Sequence, residues 1–575
     1  MDKSSPLSSL STSTSFYSAH QGDTTTASSP PVHGHPSPYQ DARELPRELK
    51  NHCQIFLEEQ LYDCAINLLN SILGAGASRR ATGRHTKAVP VPPASHLSLL
   101  ATLTVHPLHT TRIDRPDHLH VSSQALNYLR NLLAIVGPLN ADFRTAFRFH
   151  QGALRWNRRH QSGHHSHGYN SDVSDGGDSD PDEDRLSGIL ANQSSLWARG
   201  QDFWSVVGWA MNCSVLYPHR WRHWKVWLEF MLDVLEKDWD ERERLDSEAR
   251  EASGGDGDPP ITSRQEAMIV TYMDQQQSGR RGSYKAIVKA LLADGGSMLS
   301  SSFREVFERE PRGPKKESKK RKRETLDLAN DKFGDYFDDD SVSSGASEPP
   351  TPQKPRAERI KDTSFGLSHP GLAESIYLRL RLFKLLSLAT YTLHKPADLA
   401  ALYDAFAGAI KLLPLELFSL YVTQRSNPLL LETHVTVLKE LFHLLLPSSH
   451  KNPGKVDPEA DAVGSLTMTM LEVCYAPHPA NTVAVEDNAK LSLVVESAMQ
   501  LLWRCDSLEY TESLEQAVEE GIVARETKAK KKRTGKARGR TDPSDELAQE
   551  VLNSSAERLR LLLGALQGTA ETEEA

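Results

Sequence analysis

The chain has 575 residues and a formal net charge of −9, with 38% hydrophobic and 25% charged residues. A chain of this length can contain two or more domains. Its hydrophobic share is too low for a chain that is globular throughout, so long polar segments are expected. No stretch approaches the roughly 18 uninterrupted apolar residues of a membrane helix, which excludes a predicted transmembrane span.

The N-terminal part of the chain begins with a polar segment and continues as a helical block. Residues 1–42 are rich in Ser, Thr and Pro and are predicted to be a disordered tail, without the apolar centre of a secretory signal. Residues 43–310 form the predicted N-terminal helical block. Within it, residues 158–188 are rich in His, Ser and Asp and are predicted to be a disordered insertion. Two apolar stripes predict a helical hairpin over residues 49–73.

This hairpin resembles a tetratricopeptide unit. Five residues stand near the large, aromatic, small and apolar positions of that repeat: Leu49, Phe56, Ala65, Leu69 and Ile72. Cys53 stands where the repeat has glycine. Residues 221–230 are similar to the aromatic helix of half-a-TPR repeats, which occur in RNA-processing scaffolds. Both resemblances cover a small part of the chain, and they imply a helical-repeat scaffold.

A tryptophan-rich stretch is the least ordinary part of the predicted fold. Seven of the nine tryptophans lie between Trp197 and Trp239, and several recur at helical spacing. They are predicted either to pack in the core or to line a groove for a partner. The candidates are Trp204, Trp209, Trp221, Trp224 and Trp227. Residues 236–250 are mostly charged and are predicted to be the exposed end of a helix.

A basic run lies in residues 311–370, a predicted disordered linker between two helical blocks. Seven of the ten residues 314–323 are Lys or Arg, although the chain as a whole is acidic. Such a block must be solvated, and it is typical of a nuclear import signal. Nucleic-acid contact and a charge block without function are the alternatives. The predicted import residues are Lys315, Lys316, Lys319, Lys320, Arg321, Lys322 and Arg323.

Candidate phosphorylation sites lie in the predicted disordered segments. Thr351 precedes Pro352, the pattern of proline-directed kinases. A phosphate there would add about −1.5 to −2 charge beside the import signal. Ser171, Ser174 and Ser179 each precede an acidic residue, as acidophilic kinases prefer. The alternative is that the acidic insertion only keeps the chain soluble.

The C-terminal part is predicted to be a second helical block over residues 371–520, a basic linker over residues 521–541 and a last helix over residues 542–568. The linker contains a second basic run. Its cations are predicted to support nuclear import. A flexible basic segment could instead neutralise nucleic-acid phosphates without sequence preference, and a solvated linker without function is the third interpretation. They are Lys528, Lys530, Lys531, Lys532, Arg533, Lys536, Arg538 and Arg540.

The fold class predicted from these patterns is all-α, because strand patterns are few. We expect irregular helical-repeat, α-solenoid-like blocks separated by long disordered segments. The five cysteines are scattered without a CxxC pair, which favours a reducing compartment. His164, His165 and His167 lack cysteine or carboxylate partners, so they are predicted to form a polar tract and not a metal site.

The predicted function is that of a scaffold. Common phosphate-loop, dinucleotide, nucleophile-elbow and zinc-protease motifs are missing, so we expect no enzyme, no catalytic residue, no cofactor and no metal. We expect a nuclear scaffold or adaptor subunit of a multiprotein complex that binds protein partners through its helical blocks and an import receptor through residues 315–323. The alternative is a nucleic-acid-associated factor, in RNA processing or chromatin, that uses residues 528–540 for phosphate contacts. Membrane binding is not expected.

Overall fold

The computed structural model describes residues 38–78, 88–113, 118, 120–149, 184–252, 262–275, 280–312, 370–394, 396–424, 426–534 and 543–574. Helices make up 73% of these residues, which confirms the predicted all-α class. None of the helices in these ranges is long and apolar enough to cross a membrane.

The N-terminal block combines one pair of short strands with a series of helices. The strands are β1 (Ala42–Glu44) and β2 (Val89–Val91). The helices are α1 (Arg47–Glu58), α2 (Tyr62–Ser78), α3 (Ala94–Val105), α4 (Val121–Ile135), α5 (Gly137–Asn140), α6 (Phe143–Ala146), α7 (Leu196–Arg199), α8 (Phe203–Leu216), α9 (Pro218–Ala252), α10 (Thr262–Gln265), α11 (Met268–Asp274), α12 (Arg280–Leu291) and α13 (Ser297–Ser302).

Helices α1 and α2 form the hairpin that the apolar stripes predict. Leu57 of α1 and Leu69 of α2 are buried in the shared core. The turn between the helices passes through Gln60, whose φ of 61° lies in the left-handed region. Strands β1 and β2 pair in parallel, with Ala42 opposite Val89. This ladder was not predicted, because three residues are too few to show a strand period.

The margins of two predicted disordered segments pack on the fold. Residues 38–42 were assigned to the tail, yet the amide of Gln40 donates to the carbonyl of Ile135 at 2.9 Å. Residues 184–188 were assigned to the insertion, yet Asp184 lies 2.7 Å from Lys50 Nζ. Both margins are polar, so the sequence predicted them to be part of the disordered segments. In the structure, specific hydrogen bonds and ion pairs attach them to the block.

Helix α9 is the long central helix of the N-terminal block; its last residues 247–252 are mostly exposed, as predicted, but residues 236–246 are not. Asp238 and Asp246 are 1% and 2% exposed. Asp238 accepts from the amide of Met268 at 2.7 Å, and Asp246 accepts from the amide of Ser263 at 2.9 Å. Arg264 Nε donates to Asp246 at 2.9 Å. These carboxylates satisfy amides at the starts of α10 and α11, which explains their burial.

The C-terminal block is helical in all of its described regular elements. They are α14 (Pro370–Leu393), α15 (Pro396–Lys411), α16 (Leu415–Val422), α17 (Leu431–Leu445), α18 (Pro453–Val456), α19 (Pro458–Ala462), α20 (Met468–Met470) with a π-helical turn at Leu471–Tyr475, α21 (Val485–Arg504), α22 (Glu512–Thr534) and α23 (Pro543–Glu574). Helix α21 lies at the centre of this block, packed against α16, α17, α22 and α23.

Helix α22 extends into the predicted basic linker. The helical pattern ends near Val518 in the sequence, but the helix continues to Thr534. Arg525 is fully buried, and its Nη1 donates to the carbonyl of Ala476 at 3.0 Å. Ile522 and Ala529 are also buried in the core, so the apolar stripe of the helix continues past the predicted boundary, with Arg525 on the same side.

The two blocks are joined by arginines of α14. Arg379 is fully buried, and it donates from Nη1 to the carbonyl of Leu291 at 2.7 Å and from Nη2 to that of Ala293 at 2.8 Å. Arg381 Nη2 lies 2.7 Å from Asp233 Oδ1 on α9. Residues at the end of α12 and in α9 are thus bound directly to the first helix of the C-terminal block.

Candidate functional site: a basic cleft

The predicted import signal and phosphorylation sites lie outside the residues that the structure describes. This applies to residues 315–323, Thr351, Ser171, Ser174 and Ser179. Their roles stay predictions.

Two cations of the second basic run have described side chains, and both contact this chain. Lys528 Nζ donates to the carbonyl of Ala480. Lys530 Nζ lies 3.5 Å from Glu526 Oε2, one helical turn away. The side chains of the other six cations lie outside the described residues.

The five candidate tryptophans lie in the core. Their exposed fractions do not exceed 5%, and they belong to Trp204, Trp209, Trp221, Trp224 and Trp227. The indole of Trp204 donates to the carbonyl of Tyr272 at 2.8 Å. Since these rings are buried, they do not line an exposed groove for a partner.

Glu310 is the centre of a buried polar network between these tryptophans. Its carboxylate accepts from the indole nitrogens of Trp209 at 2.9 Å and Trp224 at 2.6 Å. Arg220 donates to Oε1 from Nε at 2.8 Å and from Nη2 at 2.6 Å. Glu310 and Arg220 are both 0% exposed. A buried ion pair of this kind requires many hydrogen bonds, and the two indoles supply part of them.

The remaining donors of Arg220 fix the loop that follows α3. Nη2 donates to the carbonyl of Val105 at 2.7 Å, and Nη1 donates to Thr110 Oγ1 at 2.7 Å. The planar guanidinium can reach several acceptors at once because its donors point in fixed directions. The loop after α3 and the segment around Glu310 are thus tied to one another through Arg220.

A cleft of about 150 Å³ lies between that loop, the region of α7 and the segment after α13. We call it the basic cleft. Its lining residues are His106, Pro107, Leu108, Arg112, Ser194, Arg199, Phe307 and Glu308.

The charge of the basic cleft is positive. The side chain of Arg112 makes no hydrogen bond or ion pair within the part of the chain that the structure describes, and it is half-buried. Arg199 is exposed and donates from Nε to the carbonyl of Gln193 at 3.0 Å. The one carboxylate among the lining residues belongs to Glu308, and it lies 3.6 Å from Arg309 Nε. Two arginine charges are therefore not balanced by the described residues around them.

His106 is a neutral member of the lining. Burial lowers the pKa of its imidazole to about 3, and the nearby charges of His109 and Arg220 act in the same direction. Its Nδ1 accepts from the amide of Leu108 at 3.3 Å, so in the neutral ring the proton is on Nε2. The ring also meets Phe307 edge-on, with centroids 4.7 Å apart. At neutral pH His106 is thus a fixed, uncharged hydrogen-bond donor.

Sequence reasoning missed the basic cleft. Arg112 and Arg199 are far apart in the chain, and no spacing rule connects them with Phe307. The sequence does contain a signal for Arg220. It stands one helical turn before Trp224, so its charge falls on the apolar face of α9. None of the described residues forms a group of three or more His, Cys, Asp or Glu side chains that could hold a metal. The arginines and the histidine that line the cleft instead suit an oxyanion.

Comparisons with family models, curated proteins and solved structures found no match for this chain. Its function is therefore argued from its own residues.

Proposed function

We propose that this chain is a nuclear, non-enzymatic helical scaffold or adaptor subunit of a multiprotein complex. The compartment is inferred from the basic run at residues 315–323, with support from the second run. The scaffold role is supported by one observation above all, the buried contacts of Arg379 that join the two helical blocks. A body whose parts are joined in this way can keep several partners in a constant arrangement.

The anchoring of the chain on both sides of the import segment supports this proposal. Residues 313–369 begin shortly after Glu310, which is bonded to Trp224. They end just before α14, where Glu374 Oε2 accepts from Lys225 Nζ at 3.0 Å and from the indole of Trp221 at 3.4 Å. Both flanks of the segment thus contact neighbouring turns of α9. An import signal placed there would remain close to the folded body that it carries.

The nucleic-acid alternative depends on residues 528–540. Lys528 and Lys530 already contact Ala480 and Glu526 in this chain. Lys528 is engaged, so it adds less to a phosphate-binding surface than a free lysine would, whereas Lys530 stays 66% exposed. The scaffold proposal is therefore preferred.

The import signal is tested with a fluorescent fusion of the full chain. Replacing Lys319, Lys320, Arg321, Lys322 and Arg323 with alanine should move the fusion from the nucleus to the cytoplasm. A matched control replaces the exposed Lys285 and Lys289 of α12, and it should leave the distribution unchanged.

A sufficiency experiment separates direct import from transport by a partner. Residues 311–330 attached to a cytoplasmic reporter should bring it into the nucleus. If they do not, and if neutralising both basic runs leaves the full chain nuclear, then the import hypothesis is wrong.

The scaffold role is tested by affinity purification from nuclease-treated extract, followed by mass spectrometry. A stable set of co-purifying proteins is expected. Salt-sensitive binding of the purified chain to random duplex DNA or RNA, lost when residues 528–540 are neutralised, would favour the nucleic-acid alternative instead.

A further inference from the structure

We propose that the basic cleft binds the phosphate group of a phosphorylated serine or threonine on a protein partner. This inference rests on the proposed scaffold function, because it names the class of partner that one surface of the scaffold recognises.

The first argument is charge. Arg112 and Arg199 place two guanidinium groups around one concave surface. The positive charge of Arg220 behind them is neutralised by Glu310, and the negative charge of Glu308 is opposed by Arg309. Two cations that line one cleft, in a chain whose formal net charge is −9, are suited to a single dianion. Arginine pairs are common binders of phosphoryl groups, because each fork can donate two parallel hydrogen bonds.

The second argument is size. A cleft of about 150 Å³ has room for about five water molecules at roughly 30 Å³ each. A phosphate group has five heavy atoms, so it fits this space, whereas a phosphotyrosine ring would need additional room. Apolar walls from Pro107, Leu108 and Phe307 can contact the methylene or methyl group beside the phosphate, and Leu108 is 39% exposed.

The third argument is preorganisation. Arg220 holds Val105 and Thr110, so the loop that carries His106 and Arg112 is fixed before any ligand arrives. His106 lines the cleft, and none of the described residues accepts from its Nε2. Sites whose donors are already positioned lose less entropy on binding.

The arrangement favours a phosphopeptide over a nucleic acid. Nucleic-acid binding relies on cations spread along a strand, so that several phosphates are neutralised together. In the basic cleft the two arginines instead line one small space of about 150 Å³. Recognition of one phosphorylated side chain by clustered arginines is an established mode of peptide binding.

The test is isothermal titration calorimetry on the full chain. The probes are a short phosphoserine peptide with apolar neighbours, its unphosphorylated twin and a single-stranded oligothymidine. We expect binding of the phosphopeptide alone. Arg112→Gln and Arg199→Gln should each weaken it about tenfold or more, as expected for loss of a charge-assisted hydrogen bond. Arg130→Gln is the matched control, since Arg130 is a 40%-exposed arginine of α4 outside the cleft lining, and it should bind like the unaltered chain.

Equal affinity for the two peptides, or equal weakening by all three substitutions, would overturn the proposal. Tighter binding of the oligothymidine that depends on Arg112 and Arg199 would also overturn it, in favour of nucleic acid. The scaffold role is judged separately: if the co-purified proteins are retained but the phosphopeptide does not bind, then only the assignment of the cleft fails.

Discussion

At the scale of single residues, the N-terminal block depends on charges that are buried in pairs. Glu310 and Arg220 have no exposed surface. Arg220 Nη2 lies 2.6 Å from Glu310 Oε1, and the indoles of Trp209 and Trp224 donate to the same carboxylate. Removing one partner of such a pair leaves the other charge in an apolar environment without compensation. That loss costs more than the pair itself contributes.

We therefore expect Glu310→Gln to be strongly destabilising. The substitution keeps the side-chain shape but leaves Arg220 without its counter-ion, and the free energy of unfolding should fall by about 3–5 kcal/mol. Urea unfolding followed by tryptophan fluorescence measures it, since Trp209 and Trp224 contact the site. Glu308→Gln is the control, because this carboxylate is 70% exposed and should change stability by less than about 0.5 kcal/mol. Equal midpoints for the two variants would contradict the role assigned to the ion pair.

Sequence could predict only part of this network. Trp221, Trp224 and Trp227 recur at helical spacing, and their burial follows from that pattern. Arg220 shares the face of Trp224, which marks it as a charge on an apolar stripe. Glu310 has no comparable signal, because it stands among charged residues beside a polar segment. Its burial results from tertiary contacts alone.

At the scale of secondary structure elements, α22 packs on the core through Leu514, Val518 and Ile522 and also meets another part of the backbone closely. It crosses the π-helical turn so closely that a Cβ on Gly521 would lie 1.8 Å from the carbonyl oxygen of Ala476. Arg525 then donates to that same carbonyl. The predicted block ended at residue 520, because the dense Lys and Arg residues that follow hide the apolar positions Ile522 and Ala529 in the sequence.

We expect Gly521→Ala to disrupt this crossing. A backbone atom cannot move aside like a flexible side chain, so overpacking should cost about 1–3 kcal/mol or more. Gly564→Ala on α23 is the matched control, since a Cβ there has nothing within 4 Å. Alanine at this helical position should stabilise the chain by about 0.5–1 kcal/mol. In thermal unfolding, the melting temperature should fall for Gly521→Ala and rise for Gly564→Ala. Shifts of the same sign would contradict the described crossing.

At the scale of the whole molecule, the two helical blocks share one hydrophobic core, and the polar contacts of Arg379 lie at the same joint. Arg379 satisfies carbonyls at the C-terminal end of α12, where helices leave acceptors without partners. The sequence predicted two helical blocks because leucines recur at helical spacing in each. It could not predict that the blocks pack together, since an apolar stripe does not show which other stripe it will pack against.

We expect Arg379→Met to weaken the joint between the blocks. Two carbonyls, of Leu291 and Ala293, would lose a donor, at about 1–3 kcal/mol for each buried group left unsatisfied. The measurement is hydrogen exchange in increasing urea, in which α12 and α14 should lose protection together in the unaltered chain and separately in the variant. Lys289→Met, on the exposed side of α12, should leave them coupled. Coupled loss of protection in both variants would show that Arg379 does not join the blocks.

The anchoring of α14 beside the tryptophans of α9 has a consequence for the covalent chain. A Cβ on Gly371 would lie 2.5 Å from the carbonyl oxygen of Ser214, so the two blocks meet closely right where the second one begins. We therefore expect the association of the two blocks to survive a break within residues 313–369. The two halves, made as separate polypeptides divided within this segment, should assemble as a split protein when mixed.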